Sequence, residues 1–183
     1  FRMKNIIITA FEPFGKDHVN PTMQILSELP DTLFGYRVKK ITLPVVYQKA
    51  FETLKPLIDD LSPTLILMFG LAAGRTHMNM ERIAININDS NSPDNEGVIL
   101  KEKSIHLKGP DGIFSNFPLE RLALKAINQG IPLTISNTAG TYVCNDLMYR
   151  TLIYLKDTNH HALCDFVHIP YLTHQVTNKL NTP

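Results

Sequence analysis

Tryptophan is missing from this chain of 183 residues, cysteine occurs only twice, and no apolar run comes near the ~20 residues that span a bilayer. Cys144 and Cys164 form no Cys-x-x-Cys pair, so there is no disulfide framework of the kind that holds a secreted scaffold together. No His-x-x-x-His or mixed Cys/His spacing occurs, and no metal ligand set is expected. The glycine-rich turns lack the residues of the common nucleotide motifs. Gly70-Leu71-Ala72-Ala73-Gly74 is neither GxGxxG nor GxxxxGK[ST], and no lysine follows Thr138-Ala139-Gly140-Thr141. Charge of either sign is sparse and balanced, 18 Lys and Arg against 17 Asp and Glu, with no basic strip interleaved with aromatics. That removes nucleic acid and anionic membranes as expected partners. No secretory leader precedes the first apolar run, and Phe1-Arg2 ahead of Met3 reads as an expression scar. What is left is a reduced, cytoplasmic enzyme without a cofactor, on a chain long enough for one domain, 1–183, with a proper core.

The pattern that is present alternates short buried strands with helices. Asn5 to Phe11 is a nearly continuous apolar run, closed by the turn Phe11-Glu12-Pro13-Phe14-Gly15. Asn20-Pro21 supplies a cap and a first-turn proline for a helix to about Leu29. Arg37 to Pro44 reads as a strand, Val46 to Leu61 as a helix kinked or restarted at Pro56, and Thr64 to Phe69 as another buried strand. Met78 to Ile87 alternates as one more exposed strand. From Asn88 to Gly112 the composition turns to Asn, Ser, Asp, Pro and Gly, as in a lid or binding loop. Ser115 or Asn116 is the expected cap of a helix that stops at Gly130. A strand from Ile131, a helix from Val143 and a strand from Leu163 to Ile169 follow. The order predicts an α/β fold with helices on both faces of a mostly parallel sheet, in which the strand-end turns and His168 gather at one carboxyl edge.

Within that frame Ser136 to Asp146 stands out as strand, turn and helix start, with the thiol of Cys144 in the first helical turn. Unpaired amides there favour an anion, which predicts a lowered thiol pKa and a nucleophile. The plainer possibility is a cysteine that merely fills the core. A cysteine nucleophile needs a base and a group that orients it. Of the seven histidines, His168 ends an apolar strand just before Pro170, whereas His18, His77, His106, His160, His161 and His174 lie in polar surroundings. For the orienting acid, Glu81 sits in an apolar stretch, with Glu12 in the first turn as competitor; a surface pair of Glu81 with Arg82 is the bland reading. Cys164, inside an apolar strand, reads as buried and inert.

These stretches, together with Val19-Asn20-Pro21, Gly70-Leu71-Ala72-Ala73-Gly74-Arg75, Glu81-Arg82-Ile83-Ala84-Ile85-Asn86, Pro93-Asp94-Asn95-Glu96-Gly97, Ser136-Asn137-Thr138-Ala139-Gly140-Thr141-Tyr142-Val143-Cys144-Asn145 and His168-Ile169-Pro170-Tyr171, closely resemble the pyroglutamyl peptidase I (pyrrolidone-carboxylate peptidase) family of cysteine peptidases. The resemblance covers nearly the whole chain in order. It implies a three-layer α/β/α sandwich and a triad of Cys144, His168 and Glu81 that removes N-terminal pyroglutamate from peptides through a thioester, with no cofactor. It further implies a slot of Phe11 and Phe14, Asn20 donating to the lactam oxygen, the Leu71 carbonyl accepting from the lactam N–H, Val143 as floor, and a homotetramer. Three positions depart from it. Ser90-Asn91-Ser92 stands where many members carry Ala-Arg-Ile, so Asn91 replaces an arginine that some relatives aim at the oxyanion. Ala10 and Lys16 occupy places where glycine is common, and the family runs on past Pro183 into a C-terminal helix. Two other readings stay open: a catalytically impaired binder of pyroglutamyl peptides, and, by fold analogy only, a nucleoside hydrolase or phosphorylase.

Overall fold

In β1 (Asn5–Phe11) every residue is buried, and alternate side chains enter different cores: Ile7 and Phe11 on one side, Ile6, Ile8 and Ala10 on the other. A strand buried on both faces belongs in the middle of a sheet. In the computed structural model, which describes residues 3–15 and 18–177, that is where it lies. Phe1 and Arg2, Lys16 and the end of the chain at Pro183 are outside the described residues.

The elements run β1, α1 (Pro21–Glu28), β2 (Thr32–Leu33), β3 (Tyr36–Leu43), α2 (Lys49–Leu61), β4 (Leu65–Leu71), β5 (Met78–Glu81), β6 (Ile83–Ile85), β7 (Gly112–Phe114), α3 (Leu119–Asn128), β8 (Leu133–Ser136), α4 (Val143–Asp157), β9 (Leu163–Ile169) and a single turn α5 (Thr173–Val176). The main sheet has the order β2-β3-β1-β4-β9-β5-β8, and β6 pairs with β7 apart from it. Helices α2 and α4 cover one face through Ala50, Leu54, Ile58, Leu147 and Met148. Helix α1 covers part of the other through Leu26, and α3 the rest through Leu119 and Ala123. The chain is therefore a three-layer α/β/α sandwich, with β3, β1, β4 and β9 parallel.

Four details differ from the sequence expectations. The alternating stretch from Met78 breaks at Arg82. Its first half is a buried strand of the main sheet, and its second half joins the separate hairpin. Pro56 neither ends nor restarts α2, because it sits on the exposed face, where the carbonyl it frees can meet water. Ser115 and Asn116 do not cap α3, whose N-cap is Pro118; they are occupied at β9, where Ser115 Oγ donates to Cys164 O and Asn116 bonds Cys164 N and Ala162 O. Finally, β5 runs antiparallel to β9, and β8 runs with β5. β8 therefore heads away from the carboxyl ends of β1, β4 and β9, and the loop after it turns back so that Thr138 meets Arg75 beyond β4 and Cys144 lies over Gly70.

Candidate active site

Period-two alternation decides which side chains meet. In β9, Cys164 and Phe166 enter the core under α2 and α4, while Val167 and Ile169 face α3. His168 therefore follows Phe166 onto the α4 face. In β5, Met80 belongs to the α3 side, so Glu81 also points toward α4. Asn79 stands opposite His168 in the antiparallel register, and Glu81 is its diagonal neighbour on the same face. The side chains join: His168 Nδ1 lies 2.7 Å from Glu81 Oε1, with His168 4% and Glu81 0% exposed. A carboxylate only accepts, so Nδ1 donates in this contact, and the neutral imidazole so held presents its lone pair at Nε2. Glu81 is thus no surface partner of Arg82, whose Nε donates to Asn137 Oδ1 instead.

Cys144 is the second residue of α4, in the turn whose amides have no intrahelical carbonyl. Its sulfur lies over Gly70, where a Cβ would come within 3.0 Å of Sγ, and Gly70 is the register partner of His168 in the β4–β9 pair. Among the described residues no hydrogen bond joins Sγ to the imidazole, and such contacts often tighten only with substrate in place. The thiol pKa is not lowered. Burial pushes it up to about 12, the Glu81 charge adds to the rise, and only Arg75 and the cysteine's own amide oppose it. The residue as a whole is half-buried, but its sulfur is densely enclosed. The partial charge of a helix start is worth about 1 kcal/mol and does not offset that desolvation. The resting thiol is neutral at pH 7.

Arg75 completes this cluster and carries no role in the sequence reading. Its Nη1 donates to Glu81 Oε1 at 2.7 Å, the oxygen that also receives His168, and its Nη2 donates to Thr138 O at 3.0 Å in the loop leading to Cys144. Its position as the last residue of the Gly70–Arg75 turn, the one charged side chain there, was the available signal.

Beside the sulfur opens a narrow apolar cleft lined by Phe11, Phe14, Asn20, Leu71, Val143 and Cys144, together with Val45 and Tyr142. Tyr142 was not anticipated, although it directly precedes Val143. Its ring packs near Phe14 and edge-on to Tyr47, and its hydroxyl donates to Pro93 O. Asn20 is 1% exposed and caps α1: Oδ1 accepts from Thr22 N and Thr22 Oγ1, and Nδ2 donates to Glu12 O. One amide hydrogen of Nδ2 is not used by these bonds.

The other candidates are structural. Glu12 does not approach His168; its Oε1 accepts from Val45 N and Asn95 Nδ2, which ties the first turn to the 88–112 segment. Within that segment Asp94 is buried and accepts from Tyr47, Glu96 and Val98 amides. Asn91 is exposed and its Oδ1 receives Lys101 Nζ. His18, His77, His106 and His161 are exposed as expected, whereas His160 is half-buried, because its Nδ1 accepts from Ala162 N at the entry to β9. The side chain of His174 lies outside the described residues. Cys164 is fully buried, and burial raises its thiol pKa well above the usual range. Among the described residues no group of three His, Cys, Asp or Glu side chains could hold a metal ion.

The family model for pyroglutamyl peptidases matches residues 4–183. A pyrrolidone-carboxylate peptidase of Thermosipho africanus is 41% identical over 178 residues, covering 97% of this chain and 87% of that protein. One from Clostridium perfringens is 36% identical, with 97% and 84% covered. Among solved structures, the pyroglutamyl peptidase I of Bacillus amyloliquefaciens superposes with a TM-score of 0.92 at 32% identity, covering 97% of this chain and 85% of that one. The pyrrolidone carboxyl peptidase of Thermococcus litoralis gives 0.92 at 36% identity, covering 97% and 81%.

Proposed function

The chain belongs to the pyroglutamyl peptidase family, and we propose on that premise that it removes N-terminal pyroglutamate from peptides, with Cys144 as nucleophile, His168 as base and Glu81 as the group that holds the imidazole. The observation that carries the reading is one of position. The buried Glu81–His168 pair and the narrow Phe11–Phe14 cleft lie on either side of the same sulfur.

The pyroglutamyl ring is a flat, uncharged lactam, which suits an apolar slot better than the acidic anchor an aminopeptidase uses for a free ammonium. Phe11 and Phe14 form its walls and Val143 its floor. The spare amide hydrogen of Asn20 donates to the lactam oxygen, and the Leu71 carbonyl accepts from the lactam N–H. Because the thiol is held neutral, His168 Nε2 takes its proton as the sulfur adds to the carbonyl carbon. The tetrahedral oxyanion receives the Cys144 amide, a contact worth roughly 3 kcal/mol in comparable enzymes. His168 then returns the proton to the leaving amine, the C–N bond breaks, and a thioester remains. Water, activated by the same nitrogen, hydrolyses the thioester to free pyroglutamate. Asn91, turned to Lys101, contributes no charge to the oxyanion, so the burden falls on the amide.

The same reading takes the chain as one catalytic domain with 88–112 as its lid. It also carries a cytoplasmic location, supported by two unpaired cysteines, and the homotetramer implied by the resemblance. No helix of the described residues is long and apolar enough to cross a membrane. The test is hydrolysis of pyroglutamyl-aminomethylcoumarin: turnover by wild type that vanishes in Cys144→Ala supports the proposal. Binding of a pyroglutamyl peptide without cleavage by folded wild type overturns it in favour of a silent binder.

A further inference from the structure

Glu81 Oε1 serves two donors at once, and the second of them reaches out of the triad. Arg75 Nη1 and His168 Nδ1 both lie 2.7 Å from that oxygen, while Oε2 is buried with no hydrogen-bond partner among the described residues. Arg75 Nη2 meanwhile holds Thr138 O, two residues before the Gly140 turn that delivers Cys144 to the start of α4. One planar guanidinium thus spans the carboxylate that aims the base and the loop that carries the nucleophile. The carboxylate is fully buried, whereas the Arg75 side chain is 27% exposed. This is no ordinary surface pair, since the anion cannot turn to water if the cation is lost.

We infer that Arg75 is a positioning residue of the reaction: it moderates the charge that Glu81 presents to His168 and fixes the distance between the base and the Cys144 loop. The inference rests on the pyroglutamyl peptidase reading above and deepens it. Arginine suits the task because its two donors diverge in a fixed plane, which a lysine cannot reproduce. The titratable groups around Glu81 are His168 and Asp165 on β9, Arg75 before β5 and Cys144 on α4. Arg75 is the only fixed cation in that group. Without it the whole negative charge of Glu81 acts on the imidazole and favours the imidazolium, the form unable to accept the thiol proton. Without it the Thr138 loop also loses its tie to the carboxylate.

The test compares Arg75→Met and Arg75→Lys with wild type, using pyroglutamyl-aminomethylcoumarin across pH. In Arg75→Met, kcat falls tenfold or more with KM changed less than threefold, and the acid limb of kcat/KM moves to higher pH. In Arg75→Lys, which keeps the charge but only one bond, the acid limb returns to its wild-type position while kcat recovers in part. An unmoved acid limb in Arg75→Met with kcat within twofold of wild type overturns the inference, as does a loss confined to thermal stability. If Arg75→Met does not fold, Arg75→Lys with wild-type kcat overturns it equally. Absence of turnover in wild type would refute the underlying function instead, so the two failures read differently.

Discussion

Gly70 is the residue whose replacement tests the geometry of this site most directly. Its backbone is ordinary extended strand, so an alanine there is not strained by its dihedrals; the difficulty is space. A Cβ at position 70 would lie 2.6 and 2.7 Å from Cζ and Cε1 of Phe166 and 3.0 Å from Cys144 Sγ. Normal carbon contacts are about 3.5–4.0 Å, so the ring must retreat by roughly 1 Å. Phe166 is fully buried, its ring 4.8 Å from that of His168 and 6.4 Å from that of Phe11. It therefore cannot move without pushing on the base or on the wall of the cleft. Overpacking of this kind costs about 1–3 kcal/mol, and the stiffer alanine returns roughly 0.5–1 kcal/mol through the unfolded chain. Gly70→Ala is expected to lose about 1–2 kcal/mol net, a fall in Tm of roughly 2–8 °C. Activity should suffer more than stability, since a misplacement of about 1 Å at the reacting groups costs on the order of 100-fold. Circular-dichroism melting and kcat/KM on pyroglutamyl-aminomethylcoumarin read the two effects separately. Adding Phe166→Leu makes room for the new methyl, so the double variant should recover to within about tenfold of Phe166→Leu alone. Lowered Tm with undiminished kcat/KM would refute the claim that Phe166 cannot retreat without pushing on His168 or the cleft wall, and no change in either would refute the packing itself.

Two further outcomes follow from single side chains. Asn20→Asp keeps the oxygen that accepts from Thr22 N and Oγ1 but loses the Nδ2 donor and sets a buried oxygen against Glu12 O; Tm should fall by several degrees, while kcat/KM of the folded variant drops by at least 100-fold, and an active Asn20→Asp would remove Asn20 from lactam recognition. Asp165 is fully buried, and no donor among the described residues meets its carboxylate in full hydrogen-bond geometry; Ser115 and the Phe166 amide lie near it, and the Ser115 hydroxyl also donates to Cys164 O. Burial raises its pKa from 3.8 to about 7, partly opposed by Ser115 and the Phe166 amide. The unfolded carboxyl ionises above about pH 4 while the folded one keeps its proton to about 7. Its stabilising share is therefore full below pH 4 and is lost as pH rises from 4 to 7. Asp165→Asn should match wild type near pH 4 and exceed it at pH 8 by up to about 4 kcal/mol, a gain of up to roughly 8–16 °C in Tm; equal melting curves at both pH values would contradict the buried charge.

What could be read from sequence was governed by periodicity, and periodicity records faces rather than directions. The apolar pattern around His168 and Glu81 is enough to put both under one helix layer, because Val167 and Met80 must face the other. Nothing in that pattern says that β5 runs against β9, and a wholly parallel arrangement would have set Glu81 and Cys144 at the same edge without the antiparallel diagonal that joins Glu81 to His168. Asp165 shows the same limit from the other side. Its place in Cys164-Asp165-Phe166 foretells burial, yet whether a buried carboxylate finds a donor depends on Ser115, 50 residues away, whose hydroxyl also donates to Cys164 O. Arg75 and Tyr142 went unassigned for a related reason, since each is held in place partly by a backbone carbonyl, Thr138 O or Pro93 O, that no residue type announces. The thiol is the sharpest case. Its position at a helix start was legible and its chemistry was not, because the dipole favouring a thiolate is local while the desolvation opposing it is the sum of everything packed around Sγ. Under the proposed mechanism a nucleophile that rests neutral depends on the base more than on the helix, so substitutions among the contacts to His168, from Glu81 and through it Arg75, are where loss of turnover should be largest.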